Sequence, residues 1–168
     1  MTESLEPAKR PSSRDRVTAA LATYGLAHLP LREFDESTAT AADAATAIGT
    51  TVGRIVKSLV FMAGAQPILV LASGPNRVDV DKVARIVGQH ITRAKADQVR
   101  QVTGFAIGGV PPVGHVQPLA TYVDQDLLQY DEVWAAAGTP NAVFCIPPHD
   151  LVRITNGVVL DVAQLGPM

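Results

Sequence analysis

Ile55-Val-Lys-Ser-Leu-Val-Phe-Met62, followed by Gly64-Ala-Gln66 and Pro67-Ile-Leu-Val-Leu-Ala72, is the stretch that decides the fold. Both apolar runs are rich in branched side chains, strand-sized and bounded by glycine, so they read as buried strands rather than helix. The short turn between them predicts a hairpin. With period-2 alternation, Ile55, Lys57, Leu59 and Phe61 share one face, and Val56, Ser58, Val60 and Met62 share the other. Both faces are apolar, which makes Lys57 the anomaly of the strand. Burying an unpaired ammonium costs several kcal/mol, so it has to reach an anion, a cleft or solvent. Two readings stay open: a lysine snorkelling from a strand end, or a cation lining a pocket.

Toward the N-terminus, Val17, Leu21 and Tyr24 recur at helical spacing after Ser13, with Gly25 as a stop, predicting a helix over 14–24. Residues 29–34 read as a short strand. Thr38 or Thr40 caps an Ala-rich helix over 41–48, closed by Gly49. Residues 1–12 read as a flexible tail and 13–168 as one domain. Beyond the hairpin, Asp79 or Asp81 starts a helix carrying Val83, Ile86 and Val87, ended by Gly88. Residues 91–93 form a short strand candidate, and 94–102 a helix ended by Gly104. Strands follow over 120–123, 133–137 and 142–146, then a helix over 147–154 with proline in its first turn, and a last strand over 158–162. Helices and strands interleave irregularly, with hairpins in the middle, which is the pattern of a mixed α+β domain.

Composition narrows the function. The 168 residues carry 14 Lys+Arg against 16 Asp+Glu, with 47% hydrophobic and 18% charged residues, as in a globular chain. A net charge of −2 leaves no broad basic footprint and argues against wrapping duplex DNA through its phosphates. One cysteine excludes a disulfide framework and a Cys-based zinc site. The polar first residues are not a secretory signal, and no run is long and apolar enough for a membrane helix. The expectation is a cytoplasmic protein with no membrane contact.

The stretch from Phe105 to His115, Phe-Ala-Ile-Gly-Gly-Val-Pro-Pro-Val-Gly-His, holds three glycines and two prolines. It is a shaped loop, either a tight connection or a cradle whose N–H groups face an oxyanion. Neither G-x-x-x-x-G-K-[ST] nor G-x-G-x-x-G is present. His28, His90, His115 and His149 lack metal-ligand spacing. Cys145 with His149 suggests a thiol nucleophile, but an apolar strand makes Cys145 a small buried hydrophobe. Asp124 and Asp126 lie near a strand end, where capping is the default.

Lys57 in Val56-Lys-Ser-Leu-Val60, the Gly104–His115 loop and Ala137-Gly-Thr-Pro-Asn141 occur in an order that resembles the YbaK/EbsC family, related to the editing domain of bacterial prolyl-tRNA synthetases. The resemblance spans roughly residues 15–162. It implies a curved mixed β-sheet flanked by helices, and a trans-editing hydrolase that deacylates mischarged tRNA, typically tRNA-Pro carrying alanine or cysteine. By that likeness Lys57 contacts the tRNA 3′ end or the aminoacyl group. The backbone of Ile107, Gly108 and Gly109 holds the ester carbonyl. Val110, Pro112, His115, Gly138 and Asn141 complete the substrate site. The likeness also implies no metal or cofactor, water activated with help from the substrate's ribose hydroxyl, and prolyl-tRNA synthetase as a further partner. Related sequences often carry His where Asn141 stands. His115 either assists proton transfer or makes a structural hydrogen bond. Arg54, Arg77 and Arg93 are expected to form a basic rim. The alternative function is a non-catalytic module that binds a nucleotide or the aminoacyl-tRNA 3′ end.

Overall fold

The two apolar runs pair as the antiparallel strands β2 (Val56–Ala63) and β3 (Gln66–Ser73), in continuous register from Val56 opposite Ser73 to Ala63 opposite Gln66. Gly64, at φ 60, turns the chain between them. This is a computed structural model, and it describes residues 11–35, 38 and 40–165. Residues 1–10 of the expected tail lie outside the described residues.

Three further strands extend the hairpin. β4 (Ile91–Arg93) lies antiparallel to the far half of β2, while β5 (Ala120–Asp124) and β8 (Val158–Leu160) add in parallel, giving the order β4-β2-β3-β5-β8. A second, antiparallel sheet has the order β1-β7-β6, with β1 (Leu31–Glu33), β6 (Val133–Ala136) and β7 (Ala142–Ile146). The mixed α+β expectation is met, with the strands in two ladders that touch at the parallel bridge Ile55–Trp134.

Among the described residues, five α-helices flank the sheets. α1 (Ser13–Thr23) starts one residue before the sequence expectation, because Asp15 completes a reciprocal capping box with Ser12. α2 (Ala41–Ile48) is capped by Thr40, and α3 (Val80–Val87) by Asp79. α4 (Ala96–Thr103) and α5 (Pro148–Thr155) complete the set, and α5 carries its proline in the first turn.

The hairpin has a core on each face. Val56 and Val60 join Leu69, Leu71, Val123, Phe105 and Phe144, while Leu59, Phe61 and Ala63 join Ile68, Val70 and the α3 side chain Val83. Each large apolar side chain buried there contributes on the order of 1.5–3 kcal/mol. This two-sided burial explains why neither run shows a polar face.

Candidate active site

Strand β4 pairs only with Phe61, Met62 and Ala63, so the first half of β2 keeps an open edge. A cavity of about 300 Å³ lies beside that edge, between the two sheets. Its charged lining residues among the described ones are Lys57 and Arg93. Lys57 is half-buried on the face of Leu59 and Phe61, at its open end, and its ammonium donates to the Asn76 carbonyl. Desolvation lowers the Lys57 pKa below 10.5; Asp124 opposes that shift, and Arg93 and Arg77 reinforce it. The lysine therefore lines a pocket, held by a carbonyl rather than paired with a carboxylate.

Ser58 lies on the opposite face, as the alternation requires, and its buried Oγ has no hydrogen-bond partner among the described residues. The carbonyl of Val60 accepts from the Ala94 N–H across the β4 edge at 3.2 Å. Backbone groups two residues apart point the same way, so the Ser58 amide faces that edge beyond the end of β4.

The glycine loop reaches the cavity through Ile107, Gly108 and Val110. Gly108 holds φ 91, which a side chain rarely adopts. Gly109 is needed for a different reason: a Cβ there would lie 2.8 Å from Thr139 Cα and 2.9 Å from Thr139 C. Its N–H donates to the Ala106 carbonyl at 3.0 Å, closing a turn. That N–H is not free to hold an ester carbonyl, which corrects its assignment as a carbonyl donor. The Ile107 and Gly108 N–H groups donate to no acceptor among the described residues, and both residues are exposed at the cavity. Arg16 of α1 anchors the loop's start, donating to the Gly104 carbonyl at 2.8 Å and stacking 4.2 Å from the Phe105 ring centroid.

Four other sequence candidates lie away from this cavity. Pro112 and His115 line a second cavity of about 330 Å³. His115 Nε2 lies 2.7 Å from the Pro111 carbonyl, and burial pushes its pKa down, so it is a neutral imidazole in a structural hydrogen bond. Gly138, at φ 100, packs against the Ser13 carbonyl of α1, where a Cβ would come within 2.7 Å. Asn141 is engaged at both ends of its amide: Nδ2 donates to the Phe34 carbonyl and Oδ1 accepts from Thr139 Oγ1, each at 2.9 Å. It staples the 138–141 turn to the segment after β1, while its neighbours Thr139 and Pro140 line the cavity. Of the expected rim, Arg93 reaches the site and Arg77 lies close enough to act on Lys57. Arg54 does not join them: it pairs with Asp131 at 2.6 Å and stacks on Tyr130.

Cys145 is buried, and its thiol is pushed up to about 12 by burial and by Glu132, whose carboxylate accepts its S–H at 3.3 Å. The thiolate at neutral pH is then on the order of a thousandfold scarcer than at an ordinary cysteine. Iodoacetamide is expected to modify Cys145 only slowly, with a rate still climbing at pH 10, and a plateau below pH 9 would contradict this.

Trp134, Thr38 and α2 also line the cavity. No signal in the sequence marked them, because they meet Lys57 only across the join between the sheets. Asp124, read from sequence as a cap, and Asn76 lie directly behind Lys57.

The family model described as the aminoacyl-tRNA editing domain matches residues 35–154, the span that holds Lys57, the glycine loop and the 138–141 turn. This chain belongs to the aminoacyl-tRNA editing domain family. Among similar members, YwhH of Bacillus subtilis (strain 168) is 35% identical over 134 residues, 79% of this chain and 85% of YwhH. EbsC of Enterococcus faecalis, named as a candidate Cys-tRNA(Pro)/Cys-tRNA(Cys) deacylase, is 25% identical over 135 residues, 77% of this chain and 82% of EbsC. A crystal structure described as a candidate trans-editing enzyme for prolyl tRNA synthetase matches with a TM-score of 0.87 at 50% identity, covering 96% of this chain and 99% of that one. The proline–tRNA ligase of Elusimicrobium minutum is 34% identical over 73 residues, 43% of this chain and 13% of the ligase. In this editing domain, no helix among the described residues is long and apolar enough to cross a membrane.

Proposed function

We propose that this editing domain is a trans-acting deacylase that hydrolyses the ester of mischarged aminoacyl-tRNA, with tRNA-Pro carrying alanine or cysteine as its substrate. The observation that carries the reading is a cavity lined by Lys57 together with Ile107 and Gly108, whose N–H groups donate to no acceptor among the described residues. In this reading water attacks the ester carbonyl carbon, and the developing oxyanion is met by those two N–H groups. The C–O bond to the terminal ribose then breaks, and the ribose oxygen takes the proton that the water loses. The neighbouring ribose hydroxyl orients the water, and Lys57 holds the 3′-terminal nucleotide. An aminoacyl ester is already activated, so positioning and oxyanion stabilisation can supply much of the rate. The apolar walls formed by Ile55, Val56, Leu59, Trp134 and Ala136 suit a small uncharged side chain. Selection by size is the editing solution where one methylene is worth only about 1–3 kcal/mol.

A panel of Ala-, Cys- and Pro-charged tRNA-Pro, with Ala-charged tRNA-Ala, tests the proposal. Faster loss of alanine or cysteine from tRNA-Pro than of proline is expected. Unchanged ester lifetimes across the panel would overturn the hydrolase. A non-hydrolysable aminoacyl-adenosine analogue that binds without turnover would favour a binding module.

Lys57, Arg77 and Arg93 form a small cationic group, so only about three phosphate contacts are expected. For single-stranded RNA this gives a log–log salt slope near about −2 for kcat/KM. A slope steeper than about −4 would mean a larger tRNA footprint.

A further inference from the structure

Behind Lys57 lies a hydrogen-bonded relay of polar groups that the deacylation mechanism does not use. Asp124 is 1% exposed, one residue past the last β5 pair with β3. Its Oδ2 accepts from the Ser73 N–H at 3.0 Å and from Asn76 Nδ2 at 2.8 Å, and its Oδ1 accepts from the Asp126 N–H at 2.9 Å. Asn76 Nδ2 also donates to Asp126 Oδ2 at 2.7 Å, and the Asn76 N–H donates to the Ser73 carbonyl at 2.9 Å. Ser73 Oγ in turn donates to the Gly53 carbonyl at 2.7 Å. With its amide nitrogen fixed between two carboxylates, Asn76 presents its main-chain carbonyl to the Lys57 ammonium.

Capping the short 3₁₀ helix Gln125–Gln129 needs only the bond from the Asp126 N–H. It does not require Asp124 also to grip the chain just past the end of β3, 48 residues away from it at Asn76. A lysine on an open strand edge has four rotatable bonds and about 2 kcal/mol of rotamer entropy to lose on being fixed. A preset carbonyl acceptor restricts that freedom before substrate arrives.

We propose that Asp124 is a positioning residue for Lys57, acting through Asn76 to aim the ammonium into the cavity. The proposal rests on the deacylase reading for its effect on rate, and on geometry alone for its effect on Lys57. The charged groups acting on Lys57 are Asp124 from β5, Arg93 from β4 and Arg77 from the segment after β3. Asp126 joins the set through Asn76.

The test compares Asn76→Ala with Asp124→Asn, reading both turnover and Lys57 titration. The chain has four lysines, so the Lys57 signal in a lysine-labelled NMR titration is assigned by its loss in Lys57→Met. Asn76→Ala releases the ammonium toward water and is expected to move the Lys57 pKa up toward 10.5. Asp124→Asn removes the attracting carboxylate and is expected to move it further down. Both are expected to lower kcat by about tenfold to a hundredfold with little change in KM. Asn76 is half-buried, so Asn76→Ala carries the test if Asp124→Asn does not fold. A purely structural role would lower Tm and leave the Lys57 titration in place. An unshifted titration with unchanged kcat in Asn76→Ala overturns the proposal. If the wild-type protein shows no turnover, the deacylase reading fails separately, and shifts of opposite sign in the two variants still support the relay.

Discussion

Lys57→Ala is expected to lower kcat/KM for deacylation by about a hundredfold or more while leaving the protein folded and no less stable. Lys57 holds the 3′-terminal nucleotide so that the ester meets the Ile107 and Gly108 N–H groups, and losing such positioning typically costs about a hundredfold in rate. Lys57 is the sole lysine lining the cavity among the described residues. Its effect on stability has the opposite sign, because desolvation holds its folded pKa below the ordinary 10.5. A lysine with a depressed folded pKa disfavours the folded state while it is charged. That cost is complete below the folded pKa and relieved as pH rises through it toward 10.5. Substitution at neutral pH removes the cost, so Lys57→Met, which keeps the apolar stem, is expected to match or exceed the wild-type Tm. Lys57→Arg is not expected to restore activity, since a planar fork does not replace a point charge aimed at one carbonyl. Wild-type turnover in Lys57→Ala would remove the lysine from the mechanism. A large fall in Tm would show that the Asn76 contact stabilises the fold more than burial of the charge costs it.

The second large effect is expected at Gly109→Ala. The new Cβ would meet Thr139 Cα at 2.8 Å, Thr139 C at 2.9 Å and the Gly138 carbonyl at 3.0 Å, all of them backbone atoms. None can swing aside as a flexible side chain would, so the two loops must part. Overpacking of this kind costs about 1–3 kcal/mol, a fall in Tm of roughly 2–12 °C for a chain of this size. The same displacement carries Ile107 and Gly108 away from the cavity, so activity should fall by more than stability alone explains. Gly108→Ala is the contrasting case: its nearest neighbour is a Pro140 side-chain carbon at 3.8 Å, and only the φ of 91° resists the substitution. Its cost is about 1–2 kcal/mol. Thermal melts of the two variants separate steric crowding from backbone strain. A Gly109→Ala protein with wild-type Tm and rate would show that the loop tolerates the extra carbon.

Much of the chain was legible because its signals are local. The hairpin followed from two branched apolar runs and one short turn, and the alternation correctly placed Lys57 with Leu59 and Phe61 and Ser58 with Val56 and Val60. Caps were readable to within a residue, as Ser12 shows, where the reciprocal bond with Asp15 outweighs the neighbouring Ser13. The candidate site was legible in part. Lys57 and the glycine loop do meet, but the loop's two glycines serve different ends: Gly108 supplies a conformation and Gly109 a close approach. Pro112 and His115, only three to seven residues further on, line a different cavity. No sequence spacing reports which cavity each part of a proline-stiffened loop lines.

The sequence by itself determined the strands, the helices, the faces of the hairpin and the presence of a cation where a core residue belongs. Each of these depends on residues within a few positions of one another, where periodicity and capping act. The tertiary structure alone decided what that cation meets. Asn76 lies 19 residues from Lys57, and Asp124 another 48 beyond it. They come together because β5 adds in parallel beside β3 and carries Asp124 to the end of the hairpin where Lys57 stands. Strand order sets that meeting, and strand order follows from packing both faces of the hairpin at once, which no local pattern encodes.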